Sequence, residues 1–199
     1  MWFSTRFKNR SNPWALGLLA ATVFWCVLSG PSMANQTNQS SGPDSTDWLL
    51  SRYQTLKPIG QGELRFLGLK VYDARFYAER PADARPQDAL YRQPFALRLT
   101  YARSLKGLDI AKRSEKEMTR LIGRDLPEGW RSALQRLFPD VDAGDEITGI
   151  YLPQQGARFY LNGRQIGRLE NHELARHFFD IWLSERTREP TLRAALLGL

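Results

Sequence analysis

Few side chains in this 199-residue sequence are placed for chemistry. The two histidines, His172 and His177, lie five positions apart, about 140° around a helix, and cannot share a ligand. His172-Glu173 does not continue as a zinc-protease motif, whose second histidine falls four residues after the first. The single cysteine, Cys26, excludes an internal disulfide and any Cys-rich metal site. No Gly-x-Ser-x-Gly elbow is present to hold a serine nucleophile. Gly60-Gln61-Gly62 hints at a phosphate-binding turn, but Arg65 stands at the third glycine position. A strand-like run follows where a helix N-terminus would have to aim its amides. No metal and no cofactor are expected. What remains is Arg65, next to a strongly aromatic segment. A lone arginine in such a strand usually faces solvent. The alternative is a guanidinium at the mouth of an apolar pocket, gripping a carboxylate or phenolate through two hydrogen bonds.

The elements that must position Arg65 follow from apolar spacing. Residues 60–78 hold Leu64, Phe66, Leu69, Val71, Tyr72, Phe76 and Tyr77 and read as a long strand or hairpin bent at Gly68. Residues 80–86, with two prolines, read as a loop. Residues 95–101 alternate, with Phe95, Leu97, Leu99 and Tyr101 on one face and Ala96, Arg98 and Thr100 on the other, which predicts a half-buried strand. Helices are predicted over 107–122, with Ala111, Met118, Leu121 and Ile122 in one stripe, and over 128–138, with Trp130, Leu134, Leu137 and Phe138 on one face. Pro139 ends the second. Segments 145–152, 157–161 and 165–169 read as a strand meander, and Asn162-Gly163 is a two-residue hairpin signal. Leu174, Phe178, Ile181 and Trp182 mark a further helix, and residues 192–197 a short one. Trp48, Leu49, Leu50 and Tyr53 suggest a short helix or edge segment. Strands, helices, strands and helices in that order predict an α+β fold.

A hydrophobic share of 42% and a charged share of 25% suit one globular domain. The aromatic share of 12% is too much bulk for a disordered chain. A mean hydropathy of −0.45 excludes a polytopic membrane protein. Residues 1–34 read as a secretory signal peptide. Arg6, Lys8 and Arg10 form a basic leader, Trp14 to Leu28 an apolar run of 15 residues, and Ser32-Met33-Ala34 a cleavage site before Asn35. The run is shorter than the roughly 20 residues of a membrane span. The expected product is a periplasmic chain with no cysteine and no stable membrane span. Residues 35–46 read as a flexible polar spacer and residues 47–199 as the folded domain. Loss of the leader lowers the net charge from +7 to +4, scattered without a basic stripe, so no nucleic-acid partner is expected.

The aromatic segment also carries a resemblance. Gly60-Gln61-Gly62-Glu63-Leu64-Arg65, followed by Leu69-Lys70-Val71-Tyr72-Asp73-Ala74-Arg75-Phe76-Tyr77, is similar to the Gly-x-Gly…Arg…Lys-Val-Tyr-x-Ala-x-x-Tyr core of the bacterial chalcone isomerase-like proteins. So is the tail, Phe159-Tyr160-Leu161-Asn162-Gly163 and Phe178-Phe179-Asp180-Ile181-Trp182-Leu183. The resemblance covers about residues 47–199. It implies an open-faced β-sandwich of chalcone isomerase type, a long antiparallel sheet with helices packed on one face. Plant members close a chalcone ring by intramolecular Michael addition, whereas plastid relatives bind fatty acids without catalysis. Both hold an anionic oxygen with a strand arginine. Arg65 matches it, provided a bulge absorbs one extra residue; otherwise the side chain faces the wrong side.

The remaining isomerase positions do not match. The strand threonine becomes Tyr72, the helix tyrosine and asparagine fall at Ile110 and Glu117, and the hydroxyl residue before the last helix falls near Arg164. Ile110 cannot orient a phenolate, and Glu117 would repel one. No catalytic residue is assigned, since a fold does not carry an activity by itself. The expected function is a non-catalytic binder of a fatty acid or similar amphiphilic carboxylate, with Arg65 and Tyr72 binding the ligand. The alternatives are an isomerase or intramolecular lyase, in which Tyr72 beside Arg65 donates a proton, and a ligand-free scaffold.

Overall fold

A computed structural model of the chain describes residues 45–79 and 87–199. The expected signal peptide, nearly all of the spacer and the proline-containing loop lie outside these residues. The spacer's last two residues, Ser45 and Thr46, belong to the first turn of helix α1 (Ser45–Arg52). The order continues with β1 (Lys57–Phe66), β2 (Leu69–Ala78), α2 (Gln87–Leu90), β3 (Phe95–Tyr101), α3 (Gly107–Ile122) and α4 (Glu128–Leu137). Strands β4 (Glu146–Leu152), β5 (Gly156–Leu161) and β6 (Arg164–Leu169) follow, then α5 (His172–Leu183) and α6 (Pro190–Leu197).

The six strands form one sheet in sequence order, every neighbouring pair antiparallel. Strand periodicity sorts the side chains onto two faces. Phe76, Phe95, Leu97, Tyr151 and Phe159 point into the core shared with α3, α4, α5 and α6. Tyr77, Ala96, Ile150 and Tyr160, one residue out of phase, form a second cluster with Leu49 and Leu56. Helix α1 covers this second face at one end, with Trp48 against Tyr160 at 4.6 Å between ring centres. Helices α3 to α6 share one face of the sheet, as the open-faced architecture requires, and α1 adds local cover on the other. One expectation is corrected: β3 is not half-buried. Ala96 is fully buried and Arg98 is 3% exposed, because β3 lies between β2 and β4 with cover on both sides.

Gly60 and Gly62 serve packing. A side-chain carbon on Gly60 would lie 2.1 Å from the Ala195 carbonyl oxygen, and one on Gly62 2.8 Å from Leu192, so the missing side chains let α6 rest on β1. Leu64 pairs with Tyr72 and Arg65 with Lys70, which leaves Val71 as an extra residue in β2. The bulge expected to absorb a β1 residue beside Arg65 is thus not found: the irregularity there lies in the partner strand and does not rotate Arg65.

Candidate functional site

Between the inner face of the sheet and the helices lies a cavity of about 350 Å³, within the roughly 300–1,000 Å³ typical of small-molecule sites. Its floor is Leu97 and Leu99 of β3 with Ile147 and Gly149 of β4, and Phe138, Phe159, Phe178 and Phe179 close it from the side. Gly149 helps create the space: a side-chain carbon there would lie 3.0 Å from Phe159 and 3.1 Å from Phe179. Helix α3 contributes Ile110, Arg113, Ser114 and Glu117, and α5 contributes Ile181 and Trp182. The amphipathic pattern of α3 turns Ala111 and Met118 to the core, which carries Ser114 and Glu117 inward as well.

Tyr72 stands in this wall, 8% exposed. The Trp182 indole N–H donates to its hydroxyl oxygen at 2.9 Å. Burial pushes the phenol's pKa up, while the Trp182 hydrogen bond acts in the other direction. Tyr72 is thus a neutral phenol at ordinary pH and keeps its own hydrogen to donate. Tyr101 lies edge-on to it, 6.0 Å between ring centres, and burial raises its pKa too.

Arg65 departs from its expected role. Its residue borders the cavity rim, but the side chain is 54% exposed, with Nε donating to Glu63 Oε1 at 2.6 Å and Nη1 to the Gly68 carbonyl at 3.1 Å. The hydrogen bond from Arg65 holds the Glu63 carboxyl below its usual range and raises the guanidinium in turn. Lys70 joins them, 3.7 Å from Glu63 and 2.7 Å from Asp73. The reason is strand parity. Leu64 takes the inward position opposite Tyr72, so Arg65 turns to the outer face with Glu63. Arg65 and Tyr72 share the rim region but present their polar groups to opposite faces.

Glu117 also behaves differently from its expected part. Three guanidinium groups surround it, those of Arg113, Arg120 and Arg188. The repulsion of an anion expected from its charge is compensated. Ile110 lines the cavity, as the resemblance implied for the helix, whereas Arg164 is exposed at the start of β6 and does not line it. Thr187, just before α6, does line it, with its hydroxyl donating to the Ile181 carbonyl at 2.7 Å. His177 Nδ1 lies 3.4 Å from Asp180 Oδ2, away from this cavity's lining. Among the described residues no cluster of three or more histidine, cysteine, aspartate or glutamate side chains could hold a metal ion.

The sequence pattern of the chalcone isomerase-like proteins matches residues 38–198. The chain belongs to that family. Among solved structures it is similar to a fatty-acid binding protein of Arabidopsis thaliana, at 15% identity and a TM-score of 0.51, over 72% of this chain and 87% of that one. This likeness carries the fold. A search of curated proteins finds no match. The α+β open-faced sandwich expected from the sequence is thus the fold of the molecule. Trp182, Arg113, Arg188 and Thr187 complete the cavity and were not singled out for it in the sequence. Arg113, Glu117 and Arg120 carry a local signal, opposite charges three and four residues apart on one helix. Arg188 carries none, since its partner lies on another element.

Proposed function

We propose that the protein is a non-catalytic binder of a single-chain amphiphilic carboxylate of the fatty-acid type. The observation that carries this reading is the cavity: a largely apolar chamber between sheet and helices, with charged residues gathered at its rim. Membership of a family whose fold also serves a fatty-acid binding protein supports it. Each methylene buried would contribute about 0.8 kcal/mol, so an alkyl chain against Leu97, Leu99, Phe159 and Phe178 supplies most of the affinity. Tyr72 is a further ligand contact in this reading, donating its hydroxyl hydrogen toward the bound molecule. The raised pKa of Tyr72 argues against proton transfer, since an effective general acid has a pKa near the working pH.

Calorimetric titration with palmitate tests the reading. We expect binding of one palmitate per chain, with a negative heat-capacity change from apolar burial. Leu99→Trp, which fills the chamber from its floor, should weaken binding by about ten-fold or more with the fold intact by circular dichroism. Absence of palmitate binding, or an unchanged affinity in Leu99→Trp, would contradict it.

We further propose that the protein is exported to the periplasm, on the strength of the basic leader, the 15-residue apolar run and Ser32-Met33-Ala34. Amino-terminal sequencing of the exported chain should begin at Asn35. A chain that retains Met1 in the membrane fraction would refute export with cleavage.

A further inference from the structure

At Glu117 the cavity wall gathers more guanidinium groups than that one carboxylate uses. Glu117 is 5% exposed. Arg113 Nη2 lies 3.1 Å from its Oε1, Arg188 Nη1 lies 3.6 Å from the same oxygen, and Arg120 Nε lies 3.0 Å from Oε2. A buried carboxylate requires a partner, but a single guanidinium would neutralise it, and here there are three. Arg120 is committed to the scaffold, because its Nη1 also donates to the Arg186 carbonyl at 3.0 Å. Arg113 and Arg188 are not so committed. Their side chains are 54% and 50% exposed, and both residues line the cavity. Their nearest approaches to Glu117 are through Nη2 of Arg113 and Nη1 of Arg188, and each guanidinium carries five N–H donors. Arg103, Asp109 and Glu189 also border the rim, and among the described residues neither acid forms an ion pair with Arg113 or Arg188.

We infer that Arg113 and Arg188, spaced by the buried carboxylate of Glu117, are the seat for the anionic head of the ligand. This inference rests on the proposed function and assigns it a head-group site. The two guanidiniums approach Glu117 from different elements, α3 and the segment before α6, so the carboxylate ties together the two sides of the opening. A ligand carboxylate placed between them would accept from both forks, a charge-assisted geometry that arginine provides better than lysine. The apolar chain then runs inward along Leu99 and Phe178. With Arg65 turned outward by strand parity, the anion-binding role falls in this reading to α3 and the segment before α6, where three guanidiniums meet one buried carboxylate.

The seat selects for charge, and the test reads that selection. Palmitate and hexadecanol share a chain length and differ in the head. The wild-type chain should bind palmitate about ten-fold or more tightly than hexadecanol, the effect of charge-assisted hydrogen bonds. Arg113→Gln/Arg188→Gln should bring palmitate down to the level of hexadecanol and leave hexadecanol within about two-fold. Arg65→Gln should change neither. If the double variant melts early because Glu117 keeps only Arg120 beside it, the triple variant with Glu117→Gln removes that charge and carries the same comparison. Palmitate affinity that survives in the double or triple variant, or that falls in Arg65→Gln, would overturn the assignment. Equal binding of both probes by the wild-type chain would overturn the seat while leaving the cavity reading standing. Binding of neither would remove the proposed function itself, and the seat with it.

Discussion

Tyr72 and Tyr101 lie side by side in the cavity wall, yet they differ in what their hydroxyls do. Tyr72 accepts the Trp182 N–H at 2.9 Å. Tyr72→Phe would leave that indole donor buried without an acceptor, at a cost of about 1–3 kcal/mol. Tyr101→Phe strands no such donor and should cost less, and thermal denaturation of the two variants checks the contrast. The buried phenols also set an alkaline limit. Burial raises the pKa of Tyr72, Tyr91 and Tyr101 in the folded chain, whereas an unfolded tyrosine ionises near pH 10. Above that pH the unfolded chain loses protons that the folded chain keeps. Stability is full below about pH 10 and falls as pH rises, by about 1.4 kcal/mol per pH unit for each buried tyrosine. Melting curves between pH 8 and 11 should show that decline, and a flat profile would contradict it. At this scale the sequence was partly legible. Arg65 stands out as a candidate because it is a cation in an aromatic segment. Its direction depends on which strand of the pair holds the bulge, and no local pattern records that. Glu117 looks like an obstacle to an anion until Arg188, distant in sequence, is seen beside it.

Two hairpins show how far the elements themselves could be read. Asn162-Gly163 announces a two-residue turn, and both residues have positive φ, 48° and 80°. Leu67-Gly68 makes the corresponding turn between β1 and β2 with φ of 51° and 81°. Leucine disfavours that conformation, so only Gly68 signals the bend. Leu67 is 86% exposed and gives up no packing when replaced. Leu67→Asn should therefore stabilise the chain by about 1 kcal/mol, read as a higher melting temperature. A lower one would mean that the Leu67 side chain makes a stabilising contact. The glycines of β1 make the opposite case. Gly60→Ala would drive a methyl group into the Ala195 carbonyl region at 2.1 Å, so α6 must move and the melting temperature should drop. Sequence spacing shows two glycines in a strand but not the helix that crosses them, because that helix arrives from the other end of the chain. The helices α3, α4 and α5 were legible because their apolar stripes are regular. The burial of both faces of β3 was not, because α1 covers the second face from a distance.

The described residues form one antiparallel sheet with a core on each face, and the larger core encloses the cavity. The family core quoted from the β1–β2 segment indicated the long antiparallel sheet with its layer of helices, and the strand and helix order agreed with it. Neither could reveal the cavity's volume, which depends on Phe138, Phe159, Phe178 and Phe179 meeting across elements far apart in sequence. No described helix is long and apolar enough to cross a membrane. A ligand that binds only the folded chain must stabilise it, by about 2.7 kcal/mol at a hundred times its dissociation constant. Palmitate should therefore raise the melting temperature in a concentration-dependent way, and hexadecanol less so. The central claim is that the cavity is occupied by a single-chain carboxylate, and native mass spectrometry of the protein purified without detergent from its own cells tests it most directly. The account predicts a one-to-one adduct that acid extraction releases as a straight-chain carboxylic acid and that Leu99→Trp abolishes. A bare chain that also fails to take up added palmitate, or an adduct that persists unchanged in Leu99→Trp, would contradict it.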